Sequence, residues 1–392
     1  MRISKTSGCV AVLFLLLFAG AAYADLSPME KLGQFLYKDK SLSGFGNQSC
    51  ESCHHRSTGY ADPFNMRDPS NSVTSLGSDG VSLGVRNAPS ASYAGYSPVL
   101  HYDARSQTYV GGLAWDGGAT GETLDDPLAE QTLRHFLNKY EMGATGKEAV
   151  VQAVRLAAYA HLFMEVFGPG SLDSVEDAYN NIGRAVAAYQ RSPRVSAFSS
   201  KFDQFWRKCK ENGIDTGRIG IDANLADPAF EPVLLELSNN IFTQLELWGL
   251  ALFNNPNKGN CAACHSTASH DGVTPPLFTD FTYENLGLPA NILIPVGPDL
   301  GLGGFLNNSA QNGKFKVPTL RNVYRTPPYG HNGYFATLYE VVDYFNSRDL
   351  AERHWPEPEI PANLTAGTVG DAGLTTMEMV AIVAFMGTLT DQ

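Results

Sequence analysis

Two Cys-x-x-Cys-His pentapeptides, at residues 50–54 and 261–265, constrain this chain of 392 residues more than any other feature. Two thiols at this spacing can form thioethers to the vinyl groups of one haem, and the adjacent histidine can coordinate its iron. A four-cysteine zinc site is the alternative, but its cysteine pairs would come from opposite halves of the chain. The sequence therefore predicts two covalently bound haem c groups, held by Cys50, Cys53 and His54 and by Cys261, Cys264 and His265.

The first 24 residues have the three parts of a secretory signal. Arg2 and Lys5 supply positive charge, residues 10–19 form an apolar core, and residues 22–24 are an Ala-Tyr-Ala cleavage site. The apolar core is too short for a confident membrane span, and no other run is long enough. We therefore predict a signal peptide over residues 1–24, a periplasmic location and no membrane span in the mature chain.

Charge and cysteine content narrow the choice of partners. The chain carries 28 Lys and Arg against 40 Asp and Glu, a net charge of −12, which argues against nucleic acid as a partner. A basic redox partner, or one that docks through an apolar patch, would suit this surface.

Outside the signal and the two motifs the one remaining cysteine is Cys209. A lone thiol cannot form an internal disulfide, so we expect Cys209 to be buried and inert.

The fold class follows from the spacing of apolar residues. No strand-like alternation of any length occurs, and helical periodicity predicts a mostly α fold. The predicted helices cover residues 26–36, 128–137, 147–167, 175–190, 241–253, 337–345 and 377–389. Residues 44–118 are rich in Gly, Ser, Asn and Pro, which is typical of long ordered loops around a cofactor. We predict two cytochrome-c-like haem domains, 25–195 and 241–392, separated by an insertion at 196–240 that lacks clear periodicity.

Candidates for peroxide chemistry lie between the two motifs. A haem iron bound only by its histidine has an open face, and peroxide cleavage there requires an acid–base group above the iron. The segments Trp115-Asp116-Gly117, Glu130-Gln131 and Glu141-Met142-Gly143 offer such groups. Taken alone, Glu141 would more often be a solvated surface residue and Trp115 a core residue.

These segments resemble the bacterial dihaem cytochrome c peroxidase and MauG family. In that family the tryptophan of a Trp-Asp-Gly turn lies between the two haems, and a Gln and a later Glu line the peroxide pocket. The resemblance assigns these roles to Trp115, Gln131 and Glu141, of which the last has the family spacing from Gln131. His135 stands where MauG has a proline. It either adds a second proton donor above the iron or lies on the outer face of its helix.

The C-terminal half carries the resemblance further, through residues 316–323 and 326–333. In relatives a calcium ion between the haems is held by the Asn of an Asn-Ala-Pro loop and by backbone oxygens. The matching positions here are Asn87, Thr326 and Pro328. Oxygen ligands suit such a hard cation. The resemblance thus implies one Ca²⁺ ion, although Asn87 taken alone could equally be a turn residue.

The second haem is where this chain departs from the family pattern. Counting from His331, the slot for the sixth ligand, a Met or a Tyr in relatives, falls on Phe345, which cannot bind iron. Tyr344 is the first choice, and Tyr339 and His354 are weaker candidates. A tyrosinate ligand would favour oxidised iron, whereas methionine raises the potential. The alternative is that Tyr344 packs in the core and the second haem is five-coordinate or uses another residue.

The last sixty residues are similar to a narrower MauG-like branch, that of MbnH from methanobactin operons, whose members oxidise a tryptophan of a small partner protein to kynurenine. The resemblance implies an oxidase that uses hydrogen peroxide to form a high-valent two-haem state and then oxidises its partner. Trp206, Trp248 and Trp355 are candidate relay residues, although taken alone each would more often be structural. A cytochrome c peroxidase supplied by a small redox cytochrome is the alternative. A non-enzymatic electron carrier is the third hypothesis, and it would leave the Gln131 and Glu141 pocket without a purpose.

Overall fold

The computed structural model describes residues 25–222, 232–367 and 369–392, so the predicted signal peptide lies outside the described residues. The described chain is mainly helical, which confirms the predicted mostly α fold. The α-helices are α1 Pro28–Lys38, α2 Cys50–Cys53, α3 Pro63–Arg67, α4 Pro127–Leu137, α5 Lys147–Leu156, α6 Ala160–Phe167, α7 Val175–Arg191, α8 Lys201–Glu211, α9 Pro232–Ser238, α10 Gln244–Asn254, α11 Gly301–Leu306, α12 Leu338–Ser347 and α13 Thr376–Gly387.

Among the described residues the strands form two short antiparallel pairs. The strands are β1 His101–Asp103, β2 Thr108–Val110, β3 Tyr283–Glu284 and β4 Phe315–Lys316. Strand β1 pairs with β2, with Tyr102 opposite Tyr109, and β3 pairs with β4, with Tyr283 opposite Lys316. Most of the remaining backbone between α2 and α4 is loop, as its Gly, Ser and Pro content predicts.

The N-terminal core forms where α1 crosses α7. At Gly33 an added Cβ would lie 1.9 Å from the carbonyl oxygen of Ala185, so only glycine permits this approach. Helix α1 begins in a capping box, in which Ser27 and Glu30 satisfy each other's backbone amides. The crossing buries Leu36 and Ile182 completely. It holds α1 firmly just before the first haem-binding motif.

The C-terminal core repeats this arrangement where α10 crosses α13. An added Cβ at Gly249 would lie 2.0 Å from the carbonyl oxygen of Ala381, again leaving room only for glycine. Phe253 and Phe385 pack edge-on at this crossing, with ring centroids 5.2 Å apart. Helix α10 therefore leads to the second haem-binding motif as α1 leads to the first.

The segment 196–240 differs from the predicted insertion. Within it, α8 places Phe202, Phe205, Trp206 and Cys209 in the C-terminal core. These residues stand at helical spacing, but the charged residues between them obscured the pattern in the sequence. The prediction of a segment without periodicity is therefore wrong for this helix, while the prediction that Cys209 is buried is confirmed. Residues 223–231 lie outside the described residues.

The predicted helix 147–167 is two helices, α5 and α6, bent by 105° at their junction. Ala157 is extended there, and the hydroxyl of Tyr159 donates to the carboxylate of Asp39 on another segment. At the end of α5 Leu156 is 78% exposed, whereas Phe163 of α6 is fully buried. In the described part of the chain no single helix combines the length and apolar character of a membrane span, although this bent pair passes by length and composition.

A buried ion pair ties α8 to the loop that follows β4. Arg321 and Asp203 are both fully buried, and the guanidinium donates two hydrogen bonds, of 3.0 and 2.9 Å, to the carboxylate. The guanidinium also donates to the carbonyl of Pro276 at 2.8 Å and lies over the ring of Phe198. The buried guanidinium thus has hydrogen-bond acceptors on several sides. Removal of one partner of the ion pair should therefore lower the free energy of unfolding.

Replacement of Asp203 by Ala should lower the free energy of unfolding by about 3–5 kcal/mol, because it leaves the Arg321 guanidinium buried without its counter-charge. Urea denaturation of the haem-loaded protein, followed by circular dichroism, measures this loss. The matched control is Glu176→Ala, which removes the exposed Lys147–Glu176 pair and should leave the midpoint unchanged. Equal midpoints for the two variants would show that the buried pair does not stabilise the fold.

Candidate haem and peroxide site

The first haem-binding motif forms the short helix α2, whose start is capped by the Ser49 and Ser52 side chains. Cys50 and Cys53 are free, half-buried thiols, and burial raises the pKa of each to about 12. The Nδ1 atom of His54 donates to the carbonyl of Tyr60 at 3.0 Å. This bond leaves Nε2 of His54 as the nitrogen that can bind a metal.

The second motif has the same local design. Residues Cys261–Ala263 form a 3₁₀ turn, and Cys264 is likewise a free, half-buried thiol. The Nδ1 atom of His265 donates to the carbonyl of Phe278 at 2.9 Å, which again leaves Nε2 for a metal. Each motif thus offers two thiols and one oriented imidazole, a donor set that fits haem c.

The zinc alternative does not fit the structure. A zinc site of this kind would bring four ligands together around one ion. Among the described residues, no three or more His, Cys, Asp or Glu side chains form a group that could hold a metal ion. The two motifs therefore serve separate sites.

A histidine from α4 faces the first motif. The ring centroids of His135 and His54 are 6.4 Å apart, with the rings tilted by 60°. Gln131 lies one turn earlier on the same face of α4, and its Nε2 atom is 2.9 Å from Nε2 of His135. The Nδ1 atom of His135 donates to the carboxylate of Glu141. The structure thus brings Gln131, His135 and Glu141 together, and the outer-face interpretation of His135 is wrong.

The loop after α4 positions the glutamate. The backbone amide of Glu141 donates to Asn138 at 3.0 Å, and its carbonyl accepts from the amide of Ser78 at 2.7 Å. These bonds hold the Glu141 backbone between two of the long loops of the N-terminal half. The carboxylate accepts from His135, and the Glu141 side chain is 34% exposed, so it is partly shielded from solvent.

Electrostatics favour an ion pair in this pocket. Burial alone would lower the pKa of His135, but the Glu141 carboxylate raises it above its usual value. Burial would raise the pKa of Glu141, but His135 holds it below its usual value. The Oε1 atom of Gln131 is buried and has no hydrogen-bond partner. The pocket therefore contains an acceptor that could bind the O–H group of a small molecule.

Trp115 is fixed to both halves of the chain. Its indole Nε1 donates to the carbonyl of Asn87 at 2.9 Å, and its own carbonyl accepts from the amide of Lys316 at 2.9 Å. The Lys316 ammonium is buried and donates to the carbonyls of Gly111 and Phe281 at 3.2 and 3.3 Å. Burial lowers the pKa of Lys316 to about 7. The tryptophan therefore has a fixed orientation between the segments that carry the two motifs.

An ionic junction of Arg86, Asp116 and Asp299 lies beside Trp115, and it could not be predicted from the sequence alone. Arg86 is 2.6 Å from the carboxylate of Asp116 and donates two hydrogen bonds to Asp299, at 2.6 and 2.9 Å. Its signal in the sequence is position only: Arg86 precedes Asn87, and Asp116 follows Trp115. The junction locks the loop that carries Asn87 onto the C-terminal half.

Two of the three calcium candidates come together. The side-chain Nδ2 atom of Asn87 donates to the carbonyl of Pro328 at 2.6 Å. The backbone amide of Asn87 donates to the carbonyl of His331 at 2.8 Å. The hydroxyl of Thr326 donates instead to the carbonyl of Val323. A cation requires oxygen ligands. The side-chain amide of Asn87 would therefore have to rotate so that its Oδ1 atom, in place of Nδ2, faces the carbonyl of Pro328. The calcium site remains a prediction.

Tyr344, the tentative ligand of the second haem, has other partners. It is 1% exposed, its hydroxyl donates to the carbonyl of Gly287, and its ring packs edge-on against Trp355 with centroids 5.1 Å apart. Burial raises the pKa of Tyr344, which favours the protonated phenol. Phe345, in the expected slot, is half-buried. The contacts of Tyr344 suit a packing residue, and its role as a ligand remains a prediction.

The weaker ligand candidates and the tryptophan relay candidates occupy different environments. Tyr339 and Trp248 are partly buried and pack against the C-terminal core, and Trp206 belongs to that core. His354 is exposed. Trp355 donates its indole N–H to the hydroxyl of Ser347 at 3.1 Å. These contacts give each tryptophan a structural role and leave a relay role as a prediction.

Comparison with known proteins shows the family of this chain. A family model described as di-haem cytochrome c peroxidase matches residues 27–211. The chain is 32% identical over 413 aligned positions to the methylamine utilization protein MauG of Paracoccus denitrificans, covering 98% of this chain and 95% of that protein.

Solved structures are similar as well. The diheme peroxidase BthA from Burkholderia thailandensis matches with a TM-score of 0.73 and 26% identity, covering 94% of this chain and 87% of its own. A MauG-like protein associated with microbial copper homeostasis matches with a TM-score of 0.64 and 26% identity, covering 94% and 91%. The fold and the pocket therefore define a peroxide-dependent dihaem oxidoreductase. More particularly, the chain belongs to the di-haem cytochrome c peroxidase and MauG family.

Replacement of Tyr344 by Phe tests the ligand of the second haem. Because the hydroxyl is donated to the Gly287 carbonyl, we expect the ferric EPR spectrum of the variant to match that of the wild type. The control is Tyr339→Phe, a change of the same size on the same helix. Loss of a low-spin signal in Tyr344→Phe alone would show that this tyrosine binds the iron.

Proposed function

We propose that this chain is a periplasmic dihaem c-type oxidase that uses hydrogen peroxide to oxidise a tryptophan side chain of a partner protein. The observation that carries the proposal is the Gln131–His135–Glu141 pocket facing His54, which would hold the iron of the first haem. An electron carrier with two closed haems would have no use for such an acid–base group. The similarity to MauG over nearly the whole chain supports an oxidase of this class.

The chain's own residues divide the work as follows. Cys50, Cys53 and His54 would hold one haem and Cys261, Cys264 and His265 the other, and the bound irons would supply the electrons that reduce peroxide. The pocket on α4 binds peroxide and moves a proton between its oxygens. Trp115, anchored to both halves, is the residue best placed to join the two sites electronically. One calcium ion near Asn87 and Pro328 would help hold the halves together.

Phe345 distinguishes this chain from relatives that carry a methionine at the second haem. A methionine ligand raises the haem potential and suits acceptance of electrons from a cytochrome, whereas a site without one suits an oxidant. Conversion of an indole to N-formylkynurenine adds two oxygen atoms, so it consumes two peroxide molecules and releases two waters. Hydrolysis then removes formate and leaves kynurenine as the final product on the partner.

A dihaem cytochrome c peroxidase is the second candidate. It would reduce peroxide to water with electrons from a small redox cytochrome. The specific observation in its favour is that the fold similarity to the diheme peroxidase BthA exceeds that to the copper-associated MauG-like protein.

The test mixes the haem-loaded protein and peroxide with a periplasmic extract from source cells that lack this gene. We expect mass spectrometry to find kynurenine in place of tryptophan in a small protein of the extract. A variant with Trp115→Phe should lower the yield strongly, because it interrupts the connection between the sites. Boiled enzyme controls for direct oxidation by peroxide.

The same protein is mixed with peroxide and a reduced small cytochrome c. We expect slow turnover in this assay. Fast cytochrome oxidation, together with no kynurenine in the extract, would contradict the oxidase and establish the peroxidase.

A further inference from the structure

A buried tyrosine lies beside the loop that orients the first haem-binding histidine. Tyr93 is 2% exposed, and its backbone is in the left-handed region with a φ of 63°, which a bulky side chain seldom adopts. Two residues earlier, the amide of Ala91 donates at 2.9 Å to the carbonyl of Tyr60. The same carbonyl accepts from Nδ1 of His54. Tyr93 is therefore two residues away from a direct contact with the support of the first site.

The same tyrosine also faces the support of the second site. The Cζ atom of Arg321 lies 4.8 Å from the ring centroid of Tyr93 and 5.7 Å from that of Phe278. The carbonyl of Phe278 accepts from Nδ1 of His265. Tyr93 thus lies between the loops that orient the two histidines, a position that suits exchange of electrons with either site.

A carboxylate from the C-terminal end of the chain accepts the phenol proton of Tyr93. The hydroxyl donates to Oδ2 of Asp391 at 2.7 Å and accepts from the amide of Phe198 at 2.8 Å. Oδ2 of Asp391 also accepts from Nδ2 of Asn322 at 3.0 Å, and Oδ1 accepts from the amide of Ser199 at 2.9 Å. These bonds fix the carboxylate in place as a base for the phenol.

Other buried tyrosines have a different kind of acceptor. Several donate their hydroxyl to a backbone carbonyl, namely Tyr37, Tyr179, Tyr283 and Tyr344. A backbone carbonyl accepts a hydrogen bond but does not take up the proton, whereas a carboxylate can take it up. Tyr159 also donates to a carboxylate, that of Asp39, but its ring stacks on Phe35, which is 43% exposed. Tyr93 combines a proton acceptor with deep burial.

The charges around Tyr93 favour the loss of an electron. Arg321 is paired with Asp203, and Asp391 adds a second carboxylate, so this cluster has one positive and two negative groups. Burial raises the pKa of Tyr93, so the phenol keeps its proton in the resting protein. Removal of one electron from Tyr93, with transfer of its proton to Asp391, cancels the net negative charge of the cluster. A buried net charge is unfavourable, so its removal assists the oxidation.

We propose that Tyr93 is a one-electron redox site, which holds an oxidising equivalent as a neutral tyrosyl radical when no partner protein is bound. The phenol gives one electron to the oxidised haem sites, and its proton moves to the carboxylate of Asp391. A phenol that lost only its electron would become a strongly acidic cation, which explains the need for an adjacent base. The inference rests on the proposed function, which supplies the oxidant.

The electrons and protons of this step balance. Hydrogen peroxide takes up two electrons and two protons and becomes two waters. Tyr93 supplies one of these electrons and the haem sites supply the other. The two protons come from solvent, because the proton of Tyr93 stays on Asp391. Return of one electron from the partner protein, together with the proton held by Asp391, restores the phenol.

EPR spectroscopy of the haem-loaded protein, frozen shortly after mixing with peroxide and without a partner, tests the inference. We expect a tyrosyl signal that narrows when the protein contains ring-deuterated tyrosine. Tyr93→Phe should lose this signal. The matched control is Tyr179→Phe, which changes a tyrosine that is also 2% exposed but donates to the carbonyl of Leu133, and it should keep the signal. A signal that survives in Tyr93→Phe, or that is lost in Tyr159→Phe instead, would overturn the inference.

The role of the carboxylate has a separate test. Asp391→Asn can still accept a hydrogen bond from the phenol but cannot take up its proton, so we expect loss of the tyrosyl signal. Asp391→Glu, which restores a carboxylate, should recover it, and Asp371→Asn, which changes an exposed carboxylate, should leave it unchanged. Equal signals in Asp391→Asn and wild type would contradict the inference.

The Soret band, recorded on the same samples, separates failure of this inference from failure of the proposed function. A Soret change on addition of peroxide without a tyrosyl signal would overturn the inference and leave the proposed function intact. A Soret band that peroxide does not change would contradict both, because the oxidant of Tyr93 would then not form.

Discussion

The close crossing of two helices at a glycine is the constraint on which each half of this protein depends. Gly33 on α1 meets the backbone of Ala185, and Gly249 on α10 meets that of Ala381, at distances that no Cβ could accept. Each crossing fixes the helix that leads to a Cys-x-x-Cys-His motif. The histidine of each motif is then oriented by one hydrogen bond to a loop carbonyl, of Tyr60 or of Phe278.

The halves are joined by polar contacts that converge around Trp115. The indole is bound to the Asn87 carbonyl, and the flanking Asp116 pairs with Arg86, which also holds Asp299 of the C-terminal half. Charge-assisted and bidentate hydrogen bonds of this kind add geometric specificity as well as energy. A tryptophan held in this way has one orientation, which would suit the proposed electron transfer between the two sites.

Much of the site could be predicted from the sequence because its signals are local. The spacing within each motif and the helices that precede them needed no tertiary information, and the resemblance to the family located Gln131 and Glu141. The place of His135 could not be predicted, because either face of α4 suited a histidine. Only the tertiary contact with His54 and the turn that returns Glu141 to the helix settle its orientation.

Other elements failed prediction for physical reasons of the same kind. Helix α8 carries its apolar residues at helical spacing, but Lys and Asp residues between them lowered the average hydrophobicity. The break between α5 and α6 depends on the contact of Tyr159 with Asp39, which is distant in sequence. At the expected ligand position of the second haem the sequence departs from the family pattern, because Phe345 stands there. The resemblance could suggest only nearby residues as ligands.

We propose that this chain carries two separately tethered haem groups, one at each motif. Intact-mass measurement of protein produced in a bacterium with a cytochrome c maturation system tests it most directly. We expect a mass increase of two haems, with one lost when Cys50 and Cys53 become Ser and the other lost when Cys261 and Cys264 become Ser. A wild-type chain with one haem or none would contradict the account.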